Sequence, residues 1–238
     1  MGSPHGYREG DPLGGRDPYS SSKACAELVG QSYRDSFFAL SRLDEHSVGI
    51  ASARAGNVIG GGDWTARQLV PETIAAFRRG QPVVLRHPRA VRPWQHVLDC
   101  LAGYLSLAEA LCHDARAYSG AWNFGPADAQ ALCVGDVVER LAARWGIERP
   151  WVQDAVVHEP EEQQLRLDVS KASSRLGWRC RLPIDEALDW VANWYRGYHE
   201  GRDAADLCRD EIARYRLRVE SGERPGFTRT HRAVTLPG

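Results

Sequence analysis

The 238 residues carry 30 lysines and arginines against 31 aspartates and glutamates, a formal net charge of −1, with 43% hydrophobic residues. That balance supplies no basic field for nucleic acid, and no apolar run approaches the roughly 20 residues needed to span a bilayer. The opening MGSPHGYREG has no apolar segment of the secretory kind, and the length suits one large domain or two small ones.

In chain order, the first 18 residues, rich in Gly, Pro and Arg, read as loop. From Ser20 to about Leu40, Cys25, Val29, Tyr33 and Phe37 recur at i, i+4 and predict an amphipathic helix. SVGIASARAGNVIG is a β-branched run ending in glycine, a strand entering a loop. A helix from about Leu69 to Arg79 stops at Gly80. PVVLRHP reads as a strand ended by Pro88, and VRPWQHV as a further extended piece. Val97, Leu101, Leu105, Ala108 and Cys112 mark the next helical stripe. GAWNFGP is a glycine-bounded strand, and Asp136 is a candidate cap for a helix to Trp145 with Val137, Val138, Leu141 and Ala142 inward. A strand follows at about Trp151 to Val157. In QLRLDVSKASSRLGW a strand passes into a short helix ended by Gly177. PIDEALDWVANWYRGYHEG is a helix opened by Pro183, lined by Leu188, Val191, Trp194, Tyr195 and Tyr198, and closed by Gly201. A last helix covers about Asp203 to Val219, and the tail from Ser221 reads as unstructured. Alternating strands and helices make the class α/β.

The six cysteines form no CxxC pair and the eight histidines no HExxH spacing. No metal site is expected, and the thiols read as buried and reduced, as in a cytoplasmic protein. HEPEEQQ, residues 158–164, reads as a solvated loop.

One spacing carries chemistry. In DPYSSSKACAE, Tyr19 and Lys23 stand at i and i+4, so a helix brings both side chains to one face. A free phenol is a poor base at neutral pH. An ammonium beside it favours the phenolate, which can take a proton from an alcohol as hydride leaves the same carbon. The spacing alone is also common on exposed helices.

The surrounding motifs narrow the choice. DPYSSSKACAE resembles the active-site helix of the extended short-chain dehydrogenase/reductases, where Pro-Tyr-x-x-Ser-Lys precedes a small residue and Glu. ARAGNVIGGGDW, RPWQHVLD, AWNFGP and LRLDVSKASSRLGW follow in the family's order. Together with YREGDPLGGRDPYSSSKACAEL they resemble the CDP-glucose 4,6-dehydratases over about Gly6 to Tyr215. The resemblance implies an incomplete Rossmann-type fold with a small α/β nucleotide-sugar lobe. Residues 1–118 would be the remainder of an NAD-binding domain, interleaved at about 65–96 with part of the substrate lobe. Residues 119–220 would be the lobe and C-terminal helices, and 221–238 a flexible tail.

The same resemblance implies NAD as cofactor, a nucleotide-sugar substrate, and a lyase of deoxysugar biosynthesis. In that chemistry C4 is oxidised, water leaves across C5–C6, and hydride returns to C6. Tyr19 would be the base; Lys23 would hold the nicotinamide ribose and tune Tyr19; Arg54 would lie along the cofactor. Asn57 would meet a sugar hydroxyl or phosphate, or serve only its turn. Arg92, stiffened by Pro93, would grip the diphosphate bidentately. Arg86, Arg166 and Asn123 are further candidates for the nucleotide. Gly60 to Gly62 would admit an anion to backbone N–H groups or simply turn the chain. His96 and Asp99 read as structural hydrogen-bonders.

No GxGxxG or GxxGxxG occurs in the sequence, nor a Thr-Ser-Asp-Lys or Thr-Asp-Glu segment to supply the acid for elimination. The expectation is a C-terminal portion from a truncated or decayed gene. It would have little activity by itself, exposed apolar surface prone to aggregation, and a doubtful version of the family's dimer. A related epimerase or reductase, or a nucleotide-sugar-binding module without catalysis, remain alternatives.

Overall fold

The computed structural model describes residues 6–126, 131–156 and 164–221. The elements run α1 (Pro18–Phe37), a 3-10 turn at Leu40–Arg42, α2 (Leu43–His46), β1 (Ala51–Ala55), β2 (Asn57–Ile59) and α3 (Leu69–Arg78). Then come β3 (Val83–Leu85), β4 (Val91–Arg92), β5 (Trp94–His96), α4 (Val97–His113), α5 (Ala115–Tyr118), β6 (Gly120–Phe124) and β7 (Leu132–Cys133). The chain continues through α6 (Val134–Trp145), β8 (Trp151–Gln153), α7 (Ser170–Arg175), α8 (Ile184–His199) and α9 (Ala204–Glu220). The expected tail lies, apart from Ser221, outside the described residues, as do Val157 and all of HEPEEQQ except Gln164.

Strands pair β1–β6, β2–β5 and β3–β8 in parallel, and β4–β7 antiparallel. Pro93 splits the extended piece VRPWQHV, because proline has no N–H to give a ladder. The larger core gathers α3, α6 and α8 around Ile74, Phe77, Leu141, Leu188, Val191 and Trp194. A second core joins α4, β6 and α7 through Leu107, Trp122, Phe124, Ala172 and Trp178. Each such aliphatic side chain contributes about 1.5–3 kcal/mol by burial. Asp99 on α4 links this frame to α9, accepting from the Arg181 and Leu182 N–H groups at 2.8 and 3.1 Å and from the Tyr215 hydroxyl at 2.7 Å.

Several expectations need correction. α1 starts at Pro18 because Asp17 accepts from the Tyr19 and Ser20 N–H groups, while Ser20 completes a capping box. α6 is capped by Cys133 Sγ, with Asp136 inside its first turn. On α4 the buried residues are Asp99, Cys100, Gly103 and Leu107, while Leu101 and Leu105 face out. Helical periodicity marks an apolar stripe without saying which of two stripes is covered. All six cysteines are free, but Cys25, Cys112 and Cys208 are exposed; only Cys100 and Cys180 are fully buried. Leu165 to Val169 form no strand beyond an isolated bridge of Leu167 to Tyr7.

Candidate active site at the C-terminal end of β1

Helix α1 runs antiparallel to β1. Glu27 meets Arg54 through two hydrogen bonds of 2.9 Å, and Gly30, one turn on, faces Ser52, two residues earlier in the strand. With a rise of about 1.5 Å per residue, Lys23 and Tyr19 stand about 6 and 12 Å from Glu27 along the helix, past the end of β1. Tyr19 is 72% exposed, and the Lys23 ammonium lies 5.6 Å from the centroid of its ring. Among the described residues Lys23 has no carboxylate partner.

Beyond β1 the chain turns at Gly56. A side chain there would strike the Pro93 carbonyl at 2.6 Å, and the Asn57 N–H donates to that carbonyl at 3.0 Å. Asn57 pairs in register with Trp94. AGN and RPW, far apart in sequence, therefore form one corner that brings Asn57 close to Arg92. Gln95 Nε2 donates to the Phe124 carbonyl at 2.9 Å, tying the corner to the end of β6. Arg92 lies on β4, whose Val91 bridges to Gln164 and accepts from the Leu165 N–H, so Arg166 follows in the segment that runs alongside β4. Arg92 Nη1 donates to the Val91 carbonyl at 3.0 Å. Arg166 Nε is buried with no hydrogen-bond partner among the described residues. Arg86 is exposed just after β3.

Arg54 and Asn123 are used differently from expectation. Arg54 is committed to Glu27 and donates to the Glu9 carbonyl at 3.3 Å, which leaves little of its guanidinium for a cofactor. The Arg54 hydrogen bond, aided by its charge, holds the Glu27 carboxyl below the usual range against the opposing effect of burial. Asn123 is buried; its amide donates to the Tyr7 and Asp168 carbonyls at 2.9 and 3.2 Å, and its own N–H donates to Glu9 Oε1 at 2.9 Å. It binds the chain to itself. Gly60 and Gly61 are explained by packing: an added Cβ would lie 2.7 Å from Val97 and 2.0 Å from the Trp194 ring. Gly62 has φ +77°, which favours glycine. Tyr7, Glu9, Glu27 and Asp168 were missed because their partners lie 27 to 116 residues away. Glu27, i+4 from Lys23, was the one visible in sequence.

A family model described as GDP-mannose 4,6 dehydratase matches residues 2–190. The chain belongs to that family. The chain is also 43% identical over 210 residues to the CDP-glucose 4,6-dehydratase of Salmonella typhimurium, covering 88% of this chain and 58% of that protein. Its fold is Rossmann-type α/β, similar to dTDP-glucose 4,6-dehydratase from Bacillus anthracis solved with NAD (TM-score 0.65, 21% identity, 84% of this chain and 59% of that one). It is similar too to UDP-glucose 4-epimerase from Bifidobacterium longum solved with NAD+ and UDP (TM-score 0.65, 20% identity, 83% and 60%). The chain thus spans somewhat under two thirds of these relatives' length. Among the described residues no cluster of His, Cys, Asp or Glu is placed to hold a metal, and no helix is long and apolar enough to cross a membrane.

Proposed function

We propose that the chain carries the alcohol-oxidising base and the nucleotide-sugar lobe of a cytoplasmic CDP-glucose 4,6-dehydratase that uses NAD. The 43% identity to the Salmonella protein across 88% of the chain carries this reading. Tyr19 and Lys23 on one helix face beyond β1 support it. Tyr19 and Lys23 fit the nicotinamide end of the cofactor, since the Lys23 ammonium has its donors available for a ribose hydroxyl. Arg54 does not fit, because Glu27 engages it. NAD, when bound, accepts a hydride from the sugar and returns it.

The chain's own residues then act as follows. Tyr19 serves as the base that takes the proton of the C4 hydroxyl, with the Lys23 ammonium beside its ring. Arg92 grips the diphosphate, Asn57 orients the sugar beside it, and Arg166 Nε, which has no partner among the described residues, donates to a phosphate or ribose oxygen. The ketone at C4 acidifies C5–H, but no residue of these 238 is assigned to expel water. The purified chain is therefore expected to bind CDP-glucose with little or no conversion to the 4-keto-6-deoxy product. NAD+-dependent product formation, followed by chromatography, contradicts that division of labour.

A further inference from the structure

None of the 20 residues of α1 is buried, and Leu28, Val29, Tyr33 and Phe37 are each more than half exposed. Apolar packing, which seats α6 and α8, does not seat the helix that bears Tyr19 and Lys23. We infer that Glu27 and Arg54 are positioning residues: their bidentate contact holds α1, and with it the Tyr19–Lys23 pair, against the C-terminal end of β1. This deepens the proposed function and rests on its reading of Tyr19 and Lys23.

The geometry differs from that of an ordinary surface pair. Both carboxylate oxygens are engaged at 2.9 Å, and the two side chains are only 20% and 22% exposed. A planar guanidinium fork fixes direction as well as distance, and partial burial limits screening by salt. Arg54 is itself braced from behind. Its Nη1 reaches the Glu9 carbonyl, Glu9 Oε1 receives the Asn123 N–H, and the Asn123 amide reaches Tyr7 and Asp168. The contact therefore ties α1 to β1, β6 and the start of α7 at once. Leverage makes it matter: a tilt of about 10° at Glu27 would move Tyr19, about 12 Å along the helix, by about 2 Å.

The test is amide hydrogen exchange on the full chain. Glu27→Gln is expected to speed exchange across residues 18–37 roughly three- to tenfold, since a helix without tertiary support is marginal. Protection in α6 and α8 stays unchanged. The reversed pair, Glu27→Arg with Arg54→Glu, restores most of the protection, whereas Asp35→Asn on the same helix changes nothing. Wild-type exchange in Glu27→Gln, failure of the reversed pair to recover protection, or a loss spread equally over α6 and α8 overturns the inference. No ligand enters the measurement, so an absence of CDP-glucose binding would overturn the functional reading alone.

Discussion

Asp99 shows how a single buried group is maintained. Burial pushes its carboxyl pKa up, against three donors that pull it down. Asp99→Ala would strand the Arg181 and Leu182 N–H groups and the Tyr215 hydroxyl, at a cost of about 3 kcal/mol in urea unfolding. Tyr215→Phe should cost about 1 kcal/mol, because only one of the three bonds goes. A paired set of pH effects lies nearby. Burial lowers the His96 pKa from 6.5 to about 4 and raises that of Glu211 from 4.5 to about 7; their closest atoms are 4.0 Å apart. Arg214 opposes the Glu211 shift, and Trp190 packs edge-on to His96. Between about pH 4 and 6.5 the unfolded chain binds a proton at His96 that the folded chain refuses, so stability rises with pH. Between about pH 4.5 and 7 the folded chain keeps a proton on Glu211 that the unfolded chain releases, so stability falls. The two slopes oppose each other. Glu211→Gln should expose the rising His96 slope as urea midpoints that climb from pH 4 to 6.5; flat midpoints would contradict this. At this scale the sequence disclosed Tyr19 and Lys23, which are neighbours on one helix. It concealed the engagement of Arg54 and Asn123, whose partners come from distant segments.

Elements were legible where periodicity and punctuation agree. The buried face of α6 and its stop at Gly146, φ +73°, follow from amphipathic spacing and a left-handed cap. Helix α8 is equally plain, with Pro183 before it and nine buried residues along it. Start positions were harder, since Cys133 rather than Asp136 caps α6, and a thiol is a weak capping signal. The GGGDW loop, open in sequence to an anion cradle or a plain turn, is clamped to α8: Tyr195 donates to the Asp63 carbonyl at 2.6 Å, and Trp64 packs against Tyr195 and Tyr198. Gly61→Ala should therefore cost about 2–3 kcal/mol through displacement of Trp194. Measured stability within 0.5 kcal/mol of wild type, roughly the spread of surface substitutions, would remove that account.

For the whole molecule, several helices leave apolar residues outside, among them Leu28, Val29, Tyr33 and Phe37 on α1, Leu101 and Leu105 on α4, and Ile212 and Leu217 on α9. Exposed apolar surface of this kind drives association. The chain is expected to self-associate at micromolar concentration, and Val29→Glu with Leu105→Glu to shift it toward monomer in sedimentation; a wild-type monomer would contradict this. The α/β class was legible because strands and helices alternate. The strand pairings were not, since β1–β6 and β3–β8 join residues about 70 apart. The family likewise rested on ordered motifs, two of which, GNVIGGGDW and RPWQHV, are brought side by side by the β2–β5 pairing. The central claim is a nucleotide-sugar site built around that corner. Calorimetric titration of CDP-glucose into the purified chain tests it most directly. The account predicts saturable binding that Arg92→Ala weakens about tenfold or more; no binding, or binding indifferent to Arg92→Ala, would contradict it.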